Sequence, residues 1–491
     1  MKSYRKISTL KSLTEFSDYA GQFGFELNCD EVRTSKQVSA LGQSIEYQNH
    51  VIGNRWCILP MEGWDCLPSG APSEFTSRRW RRFGGSGAKL LFGCEAAAVM
   101  HEGRSSSRQM MISSETVDAI AFLRREMVEE HRKKFSRSDD LCIGLQLTHS
   151  GRFAHPEDNP RSGGRTAYAH PLLDKKFGND ISGVLSDREI KKIIERFVAA
   201  AKLAYQAGFD FVDIKHAHGY LAHELLSAVY RPGNYGGSFE NRTRFLREIV
   251  DGIKNVAPSL QIAVRLSLFD FLPYETGADG VGKPMEWNGE YPYAFGGDGS
   301  GHGYDLTETV KFIKLAKSLG INMICASVGS PYYNPHIQRP AYYPVVDGYL
   351  PPEDPLCGVI RHIKVVAEVK RQCPDVLFVG SGYTYLQEWL PTVAEYAVAN
   401  NLTDFVGIGR MALAYPEICS DTLSGIVLDR RRICRTFGDC TNAPRNGLIS
   451  GCYPLDEFYK NCHDSGHLKY LKTKEKQNSQ GDCVPCPQMQ F

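Results

Sequence analysis

Lys215, His216, His218 and Tyr220 share one short segment, bringing a cation, two imidazoles and a phenol to a single place in the chain. His218 and Tyr220 suit proton transfer, while the same histidines would also serve as satisfied groups behind a site. His216-x-His218 has in addition the spacing of a metal-binding pair on one side of a strand, although no third ligand at a strand end completes it. Two glycine-rich turns, Gly380-Ser381-Gly382 and Gly407-Ile408-Gly409-Arg410, would let backbone amides approach an anion, with Arg410 adding a two-pronged donor. The alternative is plain turn glycines with Arg410 on the surface. Gln146 and Arg265 lie inside apolar runs, where each needs a partner. That partner is a buried neighbour or a ligand ring, and with an anion site nearby the set suits a heterocycle with a phosphate tail.

The elements that must position these groups are eight short apolar runs: 56–60, 90–93, 142–147, 211–214, 262–266, 323–326, 376–379 and 405–408. Continuous apolar runs are the pattern of parallel strands covered on both faces. Helical stretches separate them. Ser186 to Glu189 forms a capping box, and Ile190, Ile193, Ile194, Phe197, Ala201 and Ala204 continue it as one apolar stripe; other helices are expected near Ser114, Asp305 and Thr384. Strand and helix alternating eight times predicts an α/β fold, a (β/α)8 TIM barrel, with an open doubly wound sheet as the other possibility. In a barrel the chemistry sits at the C-terminal strand ends, which is where the polar groups fall. The expected divisions are residues 1–50, an extension with a hairpin at the barrel bottom; 51–425, the barrel; and 426–491, a cysteine-containing tail. Residues 268–304, with nine glycines and eight aromatics, are expected to form a lid after the fifth strand, and 329–352, with five tyrosines, a wall for a flat ligand.

Composition narrows the classes. The 491 residues carry 57 Lys+Arg against 56 Asp+Glu, a net charge of +1, which argues against nucleic acid as a partner. No run reaches the length of a membrane span and the first residues have no apolar signal core, so a soluble, cytoplasmic protein is expected, with the oligomeric state open. Fifteen scattered cysteines fit buried thiols in a reducing compartment better than a disulfide framework.

Longer motifs carry a resemblance. Asn54-Arg55 through Pro60-Met61, Gln146-Leu-Thr-His-Ser-Gly-Arg152, His218-Gly-Tyr-Leu221, Tyr235-Gly-Gly-Ser-Phe-Glu-Asn-Arg242 with Arg244-Phe245, and Gly407-Ile-Gly-Arg410 resemble the old yellow enzyme and NADH:flavin oxidoreductase family, closest to its 2,4-dienoyl-CoA reductase and bile-acid enoate reductase branch. The resemblance implies FMN, with NADH or NADPH as co-substrate. FMN would lie on the main chain of Leu59, Pro60, Met61 and Glu62 and beside Ala96; Gln146 would pair with the pyrimidine, Arg265 would face the N1/C2 edge, and Gly382, Gly409 and Arg410 would hold the phosphate. Lys215 and His218 fall at the two carbonyl-binding positions, Tyr220 at the proton donor, and Trp64 where an aromatic flanks the substrate. The implied activity is that of an ene-reductase, reducing the C=C bond of an α,β-unsaturated carbonyl or enoate. Other readings are an FMN-dependent amine or N-methyl dehydrogenase, and a metal-dependent hydrolase using His216 and His218.

Two departures from the family pattern are visible. Lys215 replaces a usual histidine, pointing to a substrate with a carboxylate or a more developed enolate. In the tail, Cys440 and Cys452 keep a spacing found in the branch with a four-iron cluster, Cys434 is offset by one, and Ile433 and Thr436 stand where two ligands would be. A cluster is therefore not expected, with Cys483-x-x-Cys486 a remote source of further ligands.

Overall fold

A computed structural model describes residues 4–29, 40–48, 50–157 and 164–478, with side chains to residue 473. Eight parallel strands close on themselves: β1 (Trp56–Ile58), β2 (Leu90–Leu91), β3 (Cys142–Thr148), β4 (Phe211–His216), β5 (Gln261–Ser267), β6 (Met323–Ser327), β7 (Leu377–Gly380) and β8 (Phe405–Ile408). β8 pairs with β1 through Val406–Trp56 and Ile408–Ile58, and β2 with β3 through Leu90–Cys142, so the sheet has no open edge. This is the (β/α)8 barrel. The doubly wound alternative is excluded by that closure.

Side chains alternate between the two faces of each strand. On the outside, Trp56, Ile58, Leu145, Leu147, Val212, Ile214, Val264 and Ile324 meet the helices in one large apolar cluster. On the inside, Cys57, Leu90, Phe92, Cys142, Phe211, Ala263, Met323 and Phe405 form a separate plug. Gly144 is required by this plug, because a Cβ there would lie 2.2 Å from the Phe211 ring. The plug is capped by an antiparallel hairpin, Ile45–Tyr47 with His50–Ile52, whose Tyr47 packs edge-on to Phe211 at 6.5 Å.

The outer helices include α1 (Glu74–Gly84), α2 (Val117–Phe135), α3 (Asp187–Gln206), α4 (Arg244–Val256), α5 (Thr307–Ser318), α6 (Pro355–Gln372) and α7 (Leu390–Ala399). α3 begins at the expected box, Ser186 accepting from the Glu189 amide and Glu189 from the Ser186 amide. α2 begins three residues past Ser114, with Thr116 at its cap. Near Thr384 the chain first makes a tight 3-10 turn, Tyr383–Trp389, broken at Gln387 (φ 55°, ψ −117°), and α7 starts only at Leu390.

Two outlying regions pack onto the barrel. In the N-terminal segment Phe16 stacks on Trp389 at 5.0 Å. The tail beyond residue 426 is clamped by Arg435 on Glu388 (2.6 Å) and by Arg78 and Arg82 on Asp456 (2.8 and 2.7 Å). Among the described residues, no helix is long and apolar enough to cross a membrane.

Candidate active site

Moving up the inside of β4, Phe211, Asp213 and Lys215 give an apolar residue, an acid and a cation in turn. The plug ends and polar chemistry begins at the level of Asp213, which is in register with Gln146 on β3, while Lys215 is in register with Arg265 on β5. Above lies an open cavity of about 210 Å³. Leu59, Pro60, Met61 and Glu62 line it from the turn after β1. Gln146, Lys215, His218, Tyr220 and Arg265 line it from β3 to β5, and Gly382, Gly409 and Arg410 from the β7 and β8 ends.

Asp213 organises the floor. Gln146 Nε2 donates to one carboxylate oxygen and the Arg265 amide to the other, both at 2.5 Å. Burial pushes the Asp213 carboxyl up to about 7 against these donors. Arg265 keeps Nε buried without a partner among the described residues, as does Arg410 with Nη1. An unpaired buried guanidinium nitrogen costs on the order of 1–3 kcal/mol, and both side chains line the cavity. Arg410 also donates to the Pro340 carbonyl at 3.1 Å; burial and the adjacent Arg339 pull it down to about 10, leaving it charged at neutral pH. Gly382 has φ +90°, and a Cβ there would press on the His362 ring at 2.9 Å, so this turn needs glycine.

The upper wall centres on the Glu62 carboxylate. Lys215 Nζ donates to Oε1 at 3.1 Å, Tyr220 OH reaches both oxygens at 3.2 Å, and Trp64 Nε1 and Ser105 Oγ donate to Oε2 at 3.3 and 3.1 Å. Lys215 Nζ also lies 3.6 Å from the Tyr220 ring centroid, a cation–π contact. Burial lowers the Lys215 ammonium against the pull of Glu62. Burial, then Glu62, then Tyr332 raise the Tyr220 phenol well above its usual value, so it holds its proton; its OH is 3.0 Å from that of Tyr332. His218 adopts a left-handed backbone (φ 68°), fixed by its amide on Ser267 Oγ (3.1 Å) and by Ser330 Oγ on its carbonyl (2.8 Å). This turn brings the imidazole inward, with Nε2 2.9 Å from Ser327 Oγ and 3.2 Å from Gln338 Nε2. Burial, Arg265 and Lys215 hold it well below its ordinary pKa and therefore neutral.

Several expected placements change. His216 is on the outer face of β4, its Nδ1 3.0 Å from the Ile214 carbonyl and its ring against Phe245 and Phe312. His216 and His218 therefore face apart, which removes the two-histidine metal pair; among the described residues no group of three His, Cys, Asp or Glu side chains is arranged to hold a metal ion. Trp64 is outside the cavity lining; its indole donates to Ser105 Oγ at 2.9 Å and to Glu62 Oε2 at 3.3 Å. Ala96 is buried beside Gln146, its strand partner, behind the wall rather than on it. The 268–304 segment contributes nothing to the lining of this cavity: Tyr291 and Tyr293 cover a smaller neighbouring hollow with His170 and Asp270. The wall after β6 is the 329–352 segment, through Pro331, Tyr332, Gln338 and Arg339.

Asp213, Arg339 and Thr441 escaped the sequence reading. Asp213 was findable as an acid interrupting an apolar strand at the inward parity. Thr441 had no signal, because its contact depends on how the tail docks: it lies on the short helix Asp439–Arg445, lines the cavity and accepts from Arg339 at 2.7 Å. Of the tail cysteines, Cys452 is buried and Cys434 and Cys440 are half-buried. Ile433 and Thr436 are fully buried as packing residues, while Cys483 and Cys486 lie outside the described residues.

Comparison with known proteins agrees with this architecture. The chain is 28% identical over 400 residues to an NADPH dehydrogenase of Clostridium acetobutylicum, covering 78% of this chain and 94% of that one. Its fold matches an old yellow enzyme homologue from Zymomonas mobilis (TM-score 0.53, 18% identity, 80% of this chain and 98% of that one). It also matches a 2-naphthoyl-CoA reductase (TM-score 0.61, 18% identity, 87% of this chain), of which it spans only 58% of the length. The NADH:flavin oxidoreductase / NADH oxidase family model matches residues 41–290, so the chain belongs to that family, of the old yellow enzyme type, and is an FMN-dependent oxidoreductase with NAD(P)H as co-substrate.

Proposed function

We propose that this enzyme reduces the C=C bond of an α,β-unsaturated carbonyl compound in a ping-pong cycle. The observation carrying this reading is that Lys215, His218 and Tyr220, three proton-bearing groups at one strand end, line the same cavity as two arginines with unsatisfied nitrogens. The residues present fit FMN. Arg410 and Arg339, with the Gly382 and Gly409 turns, would hold the phosphate; Gln146 and Arg265 would meet the polar edge of the ring system; and Leu59, Pro60, Met61 and Glu62 would flank it through their main chain. When bound, FMN supplies the two-electron chemistry linking NAD(P)H to the acceptor.

The protein's part is binding and proton control. Lys215 and neutral His218 direct hydrogen bonds to the substrate carbonyl oxygen, where negative charge develops. Tyr220, protonated at neutral pH, gives its proton to the α-carbon. The Tyr332 hydroxyl, 3.0 Å away, then donates to the Tyr220 oxygen, and the Lys215 ammonium over the ring favours the phenolate.

The test is spectroscopic. The visible flavin bands of the purified protein should bleach on anaerobic addition of NADH or NADPH and return when 2-cyclohexenone is added. Bleaching without return would reject the ene-reductase reading while leaving the flavin assignment intact.

A further inference from the structure

We infer that the Glu62 side chain sets substrate charge: it neutralises Lys215, so that the pocket selects neutral unsaturated aldehydes and ketones over unsaturated carboxylates. The inference rests on the ene-reductase reading above and reverses the expectation drawn from Lys215 alone.

Its basis is the distribution of charge around the cavity. Lys215, Arg265, Arg339 and Arg410 are the cations of the lining, and Glu62 is its one carboxylate among the described residues. Arg339 and Arg410 sit with the glycine turns at the anion-binding end, and Arg265, whose backbone amide donates to Asp213, belongs to the floor. The remaining cation, Lys215, is the one in the substrate wall, and Glu62 meets it at 3.1 Å. Both side chains are largely withdrawn from water, at 5% and 17% exposure, so the pairing is weakly screened. A substrate carboxylate must therefore displace Glu62 from Lys215 and leave two carboxylates close together in a low-dielectric pocket. A neutral carbonyl needs only a hydrogen bond, for which the ammonium retains free N–H groups.

Glu62 is also held in place from behind, which is what makes it a selector rather than a mobile counter-ion. Trp64 has a left-handed backbone, φ 46°, costly for a residue with a Cβ, and in that conformation its indole N–H is shared between Ser105 Oγ (2.9 Å) and Glu62 Oε2 (3.3 Å), while Ser105 donates to the same Oε2 at 3.1 Å. Neither donor needs to move when a substrate enters.

The experiment compares trans-cinnamaldehyde with trans-cinnamate, equal in size and different in charge, on the FMN-loaded protein. Binding to the oxidised enzyme is measured by calorimetry and reduction by kcat/KM. The wild type should prefer the aldehyde by at least about tenfold in both. Glu62→Gln should shift the ratio toward the acid by about tenfold or more, whereas Glu62→Asp, which keeps the charge, should retain the wild-type preference. A wild type that binds cinnamate as well as the aldehyde overturns the inference without any variant, as does an unchanged ratio in Glu62→Gln. If neither compound is reduced but the binding ratio behaves as stated, the charge selection stands, and the ene-reductase reading is decided separately by the 2-cyclohexenone test.

Discussion

Two buried charge clusters flank the turn after β1, and they are built to different ends. In one, Arg79 of α1 bridges Asp65 and Glu95; all three are at least 95% buried, and the contacts tie the turn to the helix behind it. Thr76 adds a donor to Asp65 at 2.9 Å, and the Gly63 amide donates to Glu95 at 3.1 Å. In the other, Glu62, Lys215 and Tyr220 keep one side on the cavity. In the first cluster Arg79 answers both carboxylates, with only its Nε left without a partner among the described residues; the second is held from behind by Trp64 and Ser105 and lines the cavity. Similar residue types thus serve rigidity in one place and recognition in the other, and what separates them is which side of the turn each side chain takes.

The largest effect expected from breaking this contrast is on turnover. Tyr220→Phe should lower enone reduction by roughly 10²–10⁴-fold with flavin bleaching by NAD(P)H retained; equal turnover in a stopped-flow comparison would remove Tyr220 from its role. Next, Arg79→Ala leaves two buried carboxylates facing each other and should cost about 3–5 kcal/mol of stability, read as a fall in the denaturant midpoint. Lys215→Ala should cost far less stability, because Tyr220, Trp64 and Ser105 still satisfy Glu62, and equal losses in the two variants would erase the distinction. Arg410→Ala, removing a charged donor worth about 1.5–3 kcal/mol, should weaken FMN retention by roughly 10–100-fold in a fluorescence titration.

The last effect concerns pH. The Asp213 carboxyl titrates near 7 when folded and near 3.9 when unfolded, so between these values the folded chain holds the extra proton and stability declines as pH rises. The decline ends above about pH 7. In flavin-free protein, Asp213→Asn should flatten that part of the stability-against-pH curve, and an unchanged slope would place the titration elsewhere.

The barrel was legible in the sequence because strands buried on both faces have little choice but to be continuously apolar, and each of the eight runs became a strand. The C-terminal strand ends were legible for the same reason: polar residues directly after such runs have nowhere else to go. What failed depended on parity and on distant contacts. His216 and His218 share a parity along an ideal strand, but the left-handed turn at His218 breaks the alternation and sends the two rings to opposite sides. The 268–304 segment was rich in loop residues, yet composition does not say which hollow a loop covers. The Glu62 side chain was unreadable as a hub because its partners at 64, 105, 215 and 220 come together only once the barrel closes.

The contribution of Thr441 bears on how the protein is made. Synthesis runs from the N-terminus at roughly 5–20 residues per second, so β8 leaves the ribosome some seconds before the helix that carries Thr441. Until that helix docks, the cavity lacks Thr441 and Arg339 Nη1 lacks the hydroxyl that accepts its hydrogen bond in the finished structure.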